Sequence, residues 1–200
     1  HPVGGLDMEV TEYRRRASIQ EQGETLWRAL PDRLEFYSED GALRGVVPFS
    51  KVQQVRLAFA PGRFQRTRFL MELTGAQSRL TLTNVHFKGV GRFEDRTASF
   101  FPLVRAVVAG IHAANPLARF RAGERPAFYF LQLAFVLGAL GLLALVLIGL
   151  PLVPGNFVLS AIVKLAVIVV SLPLLLSWIL HAWPRRFDPV TGLEAVLSAR

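Results

Sequence analysis

Arg63, Arg66 and Arg68 stand on and beside a Pro61-Gly62 turn, with Phe64 among them. Guanidinium groups hold phosphate oxygens through paired N–H donors, and an aromatic ring on the same tip is placed to enter a headgroup layer. The chemistry these residues suit is anion binding at a lipid surface. They equally suit a solvated strand edge whose charges discourage aggregation. Lys88 and Arg92 form a second, smaller basic cluster around Gly89-Val90-Gly91. A strand edge in this part of the chain could instead receive a strand from a partner.

Other chemistries lack their residues. The chain has no cysteine, which removes thiolate catalysis, disulfides and Cys-based zinc sites. His1, His86, His112 and His181 do not pair at metal-ligand spacing, so neither a metal nor a cofactor is expected. Glu39-Asp40 and Glu94-Asp95 fall at turns and read as solvated loop charges. Lys88-Gly89-Val90-Gly91 lacks the third glycine and the following helix of a phosphate loop. No Gly-x-Ser-x-Gly element is present. With no catalytic set, a non-enzymatic protein is expected.

Two apolar runs decide where these residues work. Residues 127–150 hold 24 residues and no charge, and residues 156–183 hold 28 with one charge, Lys164. A helix needs ~20 apolar residues to cross the hydrocarbon core. Only Pro151-Leu152-Val153-Pro154-Gly155 joins the runs, so they predict a transmembrane hairpin. Arg119, Arg121 and Arg125 precede it, and Arg185 and Arg186 follow it. The positive-inside rule then places both termini in the cytoplasm. Tyr129, flanked by Phe128 and Phe130, and Trp178 and Trp183 match an aromatic belt at headgroup level. Ala134, Gly138 and Gly141 recur at helical spacing and predict close approach of another helix, the second span first. A second copy or another membrane protein would also fit there. Lys164 sits about two turns into the second run, where it snorkels, meets a partner or serves a relay. No intramembrane carboxylate accompanies it. Pro173 predicts a kink in that span.

Charge agrees with a bilayer. Lys and Arg number 23 against 15 Asp and Glu, and residues 1–126 carry 19 of the former and 13 of the latter. A dispersed basic surplus beside a membrane span favours anionic lipid over nucleic acid as its counterpart. Absence of cysteine fits a reducing cytosol. Residues 1–7 read as added sequence or a cropped start before Met8, within an arm over 1–20. Arg14, Arg15 and Arg16 are followed by a polar stretch and not by an apolar core, so no signal peptide is read there.

Within an expected cytoplasmic domain over 21–115, residues 24–97 alternate apolar and polar side chains, the period of half-buried strands. Strands are expected near 24–30, 32–38, 42–48, 51–59, 66–74, 77–84 and 85–93. A two-residue Gly75-Ala76 turn would set Thr74 opposite Gln77, Glu72 opposite Arg79, Met71 opposite Leu80 and Phe69 opposite Leu82. A helix follows, capped by Ser99 with Pro102 in its first turn. Phe100, Leu103, Val104, Val107, Val108 and Ile111 form its apolar stripe, and Asn115-Pro116 ends it. Residues 116–126 read as a juxtamembrane linker and 184–200 as a cytoplasmic tail.

Seven strands and one amphipathic helix are the order of a pleckstrin-homology-like domain. With Leu34-Glu35-Phe36-Tyr37, Phe49-Ser50-Lys51-Val52 and Gly91-Arg92-Phe93-Glu94-Asp95, the stretch 27–115 resembles the bacterial PH-like and GRAM-like domains found beside transmembrane segments. The resemblance implies an α+β fold, a small antiparallel barrel or sandwich capped by its C-terminal helix and used for binding lipids or proteins. The expectation is therefore a multi-pass bacterial inner-membrane protein that docks a protein partner or anionic lipid beside the bilayer. The alternative is an accessory or assembly subunit of a larger membrane complex, or a homo-oligomer, with the hairpin as interface.

Overall fold

A computed structural model describes residues 10–62, 64–75, 78–149 and 154–199. It divides into two units, one running to Ala122 and resuming at Arg185, the other spanning 123–184.

The first unit is α+β. β1 (Thr11–Arg15), β2 (Thr25–Ala29), β3 (Arg33–Tyr37) and β4 (Leu43–Pro48) form an antiparallel sheet in chain order. A single 3-10 turn, Phe49–Lys51, leads into β5 (Val52–Phe59), β6 (Phe69–Gly75) and β7 (Arg79–Thr83). β8 (Val85–Gly89) and β9 (Arg92–Asp95) make a separate hairpin, so the expected strand over 85–93 is two strands about Val90-Gly91. α1 (Thr97–Ala114) follows, then β10 (Arg119–Ala122), which pairs with β5 in parallel. Beyond the second unit the chain returns as β11 (Arg185–Arg186) and ends in α4 (Leu193–Ser198). The second sheet thus has the order β11-β10-β5-β6-β7. Among the described residues no ladder closes the two sheets into a barrel.

One core serves both sheets. Trp27 and Leu34 from the first, Leu57 and Met71 from the second, and the whole predicted stripe of α1 pack into it. The six stripe residues from Phe100 to Ile111 are fully buried, as a wide apolar helix face requires. α1 starts two residues ahead of Ser99. The Asp95 carboxylate accepts from the Thr97 N–H at 2.8 Å and anchors the first turn. Leu193, Val196 and Leu197 of α4 complete the core. From Arg185 onward, the stretch read as a tail is therefore part of this unit.

The β6–β7 register differs from the expected one by two residues. Leu73 faces Leu80, Met71 faces Leu82 and Thr74 faces Arg79. The turn lies one residue further along the chain: the Gly75 N–H donates to the Ser78 carbonyl at 2.9 Å, so this pair closes it. Ala76 and Gln77 lie outside the described residues. A shift of two keeps every side chain on its own face, so the apolar pattern tolerates both registers and the position of the turn decides between them. Glu72 consequently lies opposite Thr81, and its contact with Arg79 is diagonal at 3.9 Å.

The second unit contains α2 (Pro126–Gly149) and α3 (Phe157–Ala182). Asn156 caps α3 by accepting from the Leu159 N–H at 3.0 Å, and Pro173 lies inside the helix. Three helices are long and apolar enough to cross a membrane: α1, α2 and a stretch of α3. α1 buries its apolar face in the β core, whereas α2 and α3 expose theirs almost entirely.

Candidate functional site

The second sheet has two chemically different faces. Opposed residues in neighbouring strands point to the same side. On the core side, Phe120, Val55, Leu73 and Leu80 form one cross-strand row. On the other side, the row reads Arg186, Arg121, Arg56, Glu72, Thr81 from β11 to β7. The next row reads Arg119, Gln54, Thr74, Arg79. Five arginines thus share a face with Glu72.

Glu72 serves the inner part of that face. It is almost fully buried and lies 3.5 Å from the Arg56 guanidinium, itself 5% exposed. Arg119, Arg121 and Arg186 make no ion pair among the described residues. The Arg121 Nε is buried without a hydrogen-bond partner there. Like charges in directly opposed positions repel, and Glu72 is the carboxylate nearest the row, at its Arg56 end. The strands that carry the row adjoin the second unit in sequence. Three residues, 123–125, separate β10 from α2, and Trp183-Pro184 separates α3 from β11. Residues read as topology signals on a linker and a tail are here paired strands, Arg121 with Arg186 and Ala122 with Arg185.

The β5–β6 loop carries the other expected arginines. Its tip is tightened by reciprocal bonds between Gly62 and Gln65, at 3.0 and 3.2 Å. Phe64 is 62% exposed, Arg66 is exposed and Arg68 is half-buried. Arg63 lies outside the described residues. β6 begins at Phe69, so Arg66 and Arg68 belong to the loop and not to the strand.

Lys88 and Arg92 fall on the β8–β9 hairpin. Lys88 is held by Glu94 at 2.6 Å, while Arg92 is exposed. This hairpin is tied to the end of β1. The Phe87 N–H donates to the Arg16 carbonyl at 2.9 Å, and the Arg16 N–H donates to His86 Nδ1 at 3.0 Å. Burial, reinforced by the Arg96 charge, pushes the His86 pKa down, against the pull of Glu24 and Glu94. A neutral imidazole accepts the Arg16 bond; a protonated one cannot. The unfolded chain then binds the extra proton first, so stability is lost as pH falls below about 6.5. Thermal unfolding of the full chain between pH 7.5 and 5.5 should show this loss, and His86→Gln should flatten it. An equal slope in the variant would assign the loss to other groups.

In the second unit, Tyr129 is buried against α3. Its hydroxyl donates to the Ile179 carbonyl at 3.3 Å, and its ring meets Trp183 edge-on at 5.7 Å. Tyr129 therefore joins two helices, whereas Trp183 is 51% exposed. The side chain of Trp178 lies outside the description. Ala134 is exposed, and a Cβ built at Gly138 or Gly141 meets nothing within 4 Å. The small-residue face does not pack on α3, contrary to expectation. The reason is that Tyr129 and Leu147, and not the glycines, are the buried residues of α2. Lys164 is half-buried and has no ion pair among the described residues. No group of three or more His, Asp or Glu is placed to hold a metal among them.

Comparison with protein-family models, curated proteins and solved structures finds no match to this chain. Strand pairing across β11, β10 and β5 is what assembled the arginine face. The sequence signal was the Arg119-Phe120-Arg121-Ala122 alternation, a period of two inside a presumed linker.

Proposed function

We propose that this chain is a membrane-anchored, non-enzymatic binding module that holds anionic lipid headgroups at the bilayer surface. In this reading α2 and α3 form a two-helix transmembrane hairpin in a bacterial inner membrane, with both termini cytoplasmic. The β unit is a PH-like domain, open where its two sheets do not pair.

The observation that carries the proposal is the arginine row Arg186–Arg121–Arg56 on strands directly joined to the apolar helices. A chain extends at most ~3.6 Å per residue, so connectors this short keep β10 and β11 within reach of the headgroups. Phosphate diesters there would supply the missing counter-charge to Arg121 and Arg186. Phe64 with Arg66 and Arg68 is a second contact of the same chemistry.

Basic residues near an anionic leaflet contribute about 1 kcal/mol each. Removing two should lower preference for anionic lipid about thirtyfold. The test is native mass spectrometry of the full chain released from mixed phosphatidylglycerol and phosphatidylcholine. The wild type should retain phosphatidylglycerol, and Arg121→Gln with Arg186→Gln should lower that bias about thirtyfold. Equal retention of the two lipids by the wild type would reject the reading.

A further inference from the structure

A second site lies in the seam between the sheets. β4 ends the first sheet and β7 ends the second, and neither has a ladder partner on its outer side among the described residues. Two clefts follow this seam, of about 370 and about 270 Å³, and Phe36 and Leu80 line both. Val46 of β4 lines the larger cleft and is 42% exposed.

Three properties define what fits. The floor is apolar and aromatic: Trp27 stacks on Phe36 at 4.7 Å, and Leu80 lies beside them. Two unmet polar atoms belong to residues that line it. Trp27 is 8% exposed, yet its Nε1 is buried without a hydrogen-bond partner among the described residues, and so is the Arg15 Nε. Both residues line the smaller cleft. Buried donors of this kind are costly unless an acceptor meets them. The third property is charge. Arg15, Arg44, Lys51 and Arg79 line the two clefts against Glu21, whose carboxylate already accepts from the Ala17 N–H at 2.7 Å.

We propose that the β4–β7 seam receives an extended acidic peptide segment of a partner protein. The segment would add a strand of five or six residues, the lengths of β7 and β4. Its main chain pairs with the free edges, alternate apolar side chains reach Trp27 and Leu80, and its carboxylates meet the four cations. An acyl chain would fill the floor but would leave the strand edges and the Trp27 N–H without partners. Edge protection by charge explains Arg44 and Lys51 on a rim, but not a buried indole donor without an acceptor. The seam shares Arg79 with the arginine face but none of Arg186, Arg121 and Arg56, the row on which the lipid proposal rests, and stands independently of it.

The test uses the full chain in detergent micelles with two synthetic probes, acetyl-(Val-Glu-Thr-Glu)3-amide and its Lys-for-Glu counterpart. Hydrogen exchange is read at Arg44–Val47 and Arg79–Thr81. The acidic probe should slow exchange at both strands. Arg44→Glu with Lys51→Glu should weaken its binding ~tenfold. Both side chains are exposed and make no ion pair among the described residues, so the variant should fold. No slowing, or equal slowing by the basic probe, overturns the proposal. Slowing by phosphatidylglycerol alone, with no increment from peptide, overturns it in favour of an acyl chain. Concentration-dependent protection without peptide overturns it in favour of a second copy.

Discussion

Asn84→Ala should destabilise the β unit by about 3 kcal/mol, the scale of a broken buried hydrogen-bond network. Asn84 is fully buried at the break between β7 and β8. Its Oδ1 accepts from the Phe69 N–H at 2.7 Å. Its Nδ2 donates to the Thr67 carbonyl at 2.8 Å and to the Thr97 hydroxyl at 2.7 Å. The Asn84 carbonyl accepts from the Arg96 N–H at 2.7 Å. One side chain thus ties the entry of β6 to the entry of α1, with Asp95 also bonded to the Thr97 hydroxyl. Alanine leaves the Phe69 donor unmet in a buried site and removes the donor to the Thr67 carbonyl. Guanidinium unfolding should show the loss, and the Phe69 amide should exchange on the order of a hundredfold faster. Asn84→Asp separates the two halves of the side chain. It keeps the acceptor for Phe69 but turns a carboxylate towards the Thr67 carbonyl and Asp95. It should therefore be as damaging at pH 7 and partly recover when protonated. A loss below 1 kcal/mol in both variants would mean that water replaces the side chain.

Gly110→Val should cost a comparable amount, about 3 kcal/mol, for the opposite reason. A Cβ at Gly110 would come within 2.4 Å of Phe49 Cε2 and 3.3 Å of the Pro31 carbonyl oxygen. Phe49 is fully buried and cannot swing into solvent. Overpacking a dense core costs ~1–3 kcal/mol or more. Replacing glycine within a helix returns about 1 kcal/mol or less, too little to offset it. Gly110→Ala should fall between wild type and Gly110→Val. Combining Gly110→Ala with Phe49→Leu should cost less than the two single changes added together, because the smaller side chain vacates the contact. Additive losses in that double-mutant cycle would show that Gly110 and Phe49 do not meet.

Neither effect was visible in the chain alone. Asn84 read as a strand end, and Gly110 as an unremarked position on a helix whose apolar stripe was plain. Alternation found the strands because each has one wet and one dry face, and Val55, Leu57, Met71 and Leu73 are buried as that pattern implies. It did not settle the β6–β7 register, since Leu80 and Leu82 satisfy either pairing. β10 escaped notice because its partner, β5, lies far back in the chain and runs parallel. A linker reading costs nothing until that partner is known. α4 carried a signal, Leu193, Val196 and Leu197 at spacings of three and four, in a stretch short enough to pass for a tail. Of the arginines of the candidate face, Arg119, Arg121 and Arg186 stand out in the sequence as flanks of the apolar runs and Arg79 as the residue opposite Glu72, whereas Arg56 carries no signal of its own. What sequence could not supply was their common side, which depends on four strand registers at once.

The pairing of Ala122 with Arg185 has a consequence for how the protein is made. The two apolar helices are an insertion within the β unit, entering and leaving at neighbouring backbone positions. A ribosome delivers β11 and α4 only after α3 has emerged. Until then Leu193, Val196 and Leu197 are missing from the core, and β10 has an unoccupied edge. Biogenesis therefore runs in a fixed order. The helices are delivered first, and the domain that precedes them in the chain is sealed last.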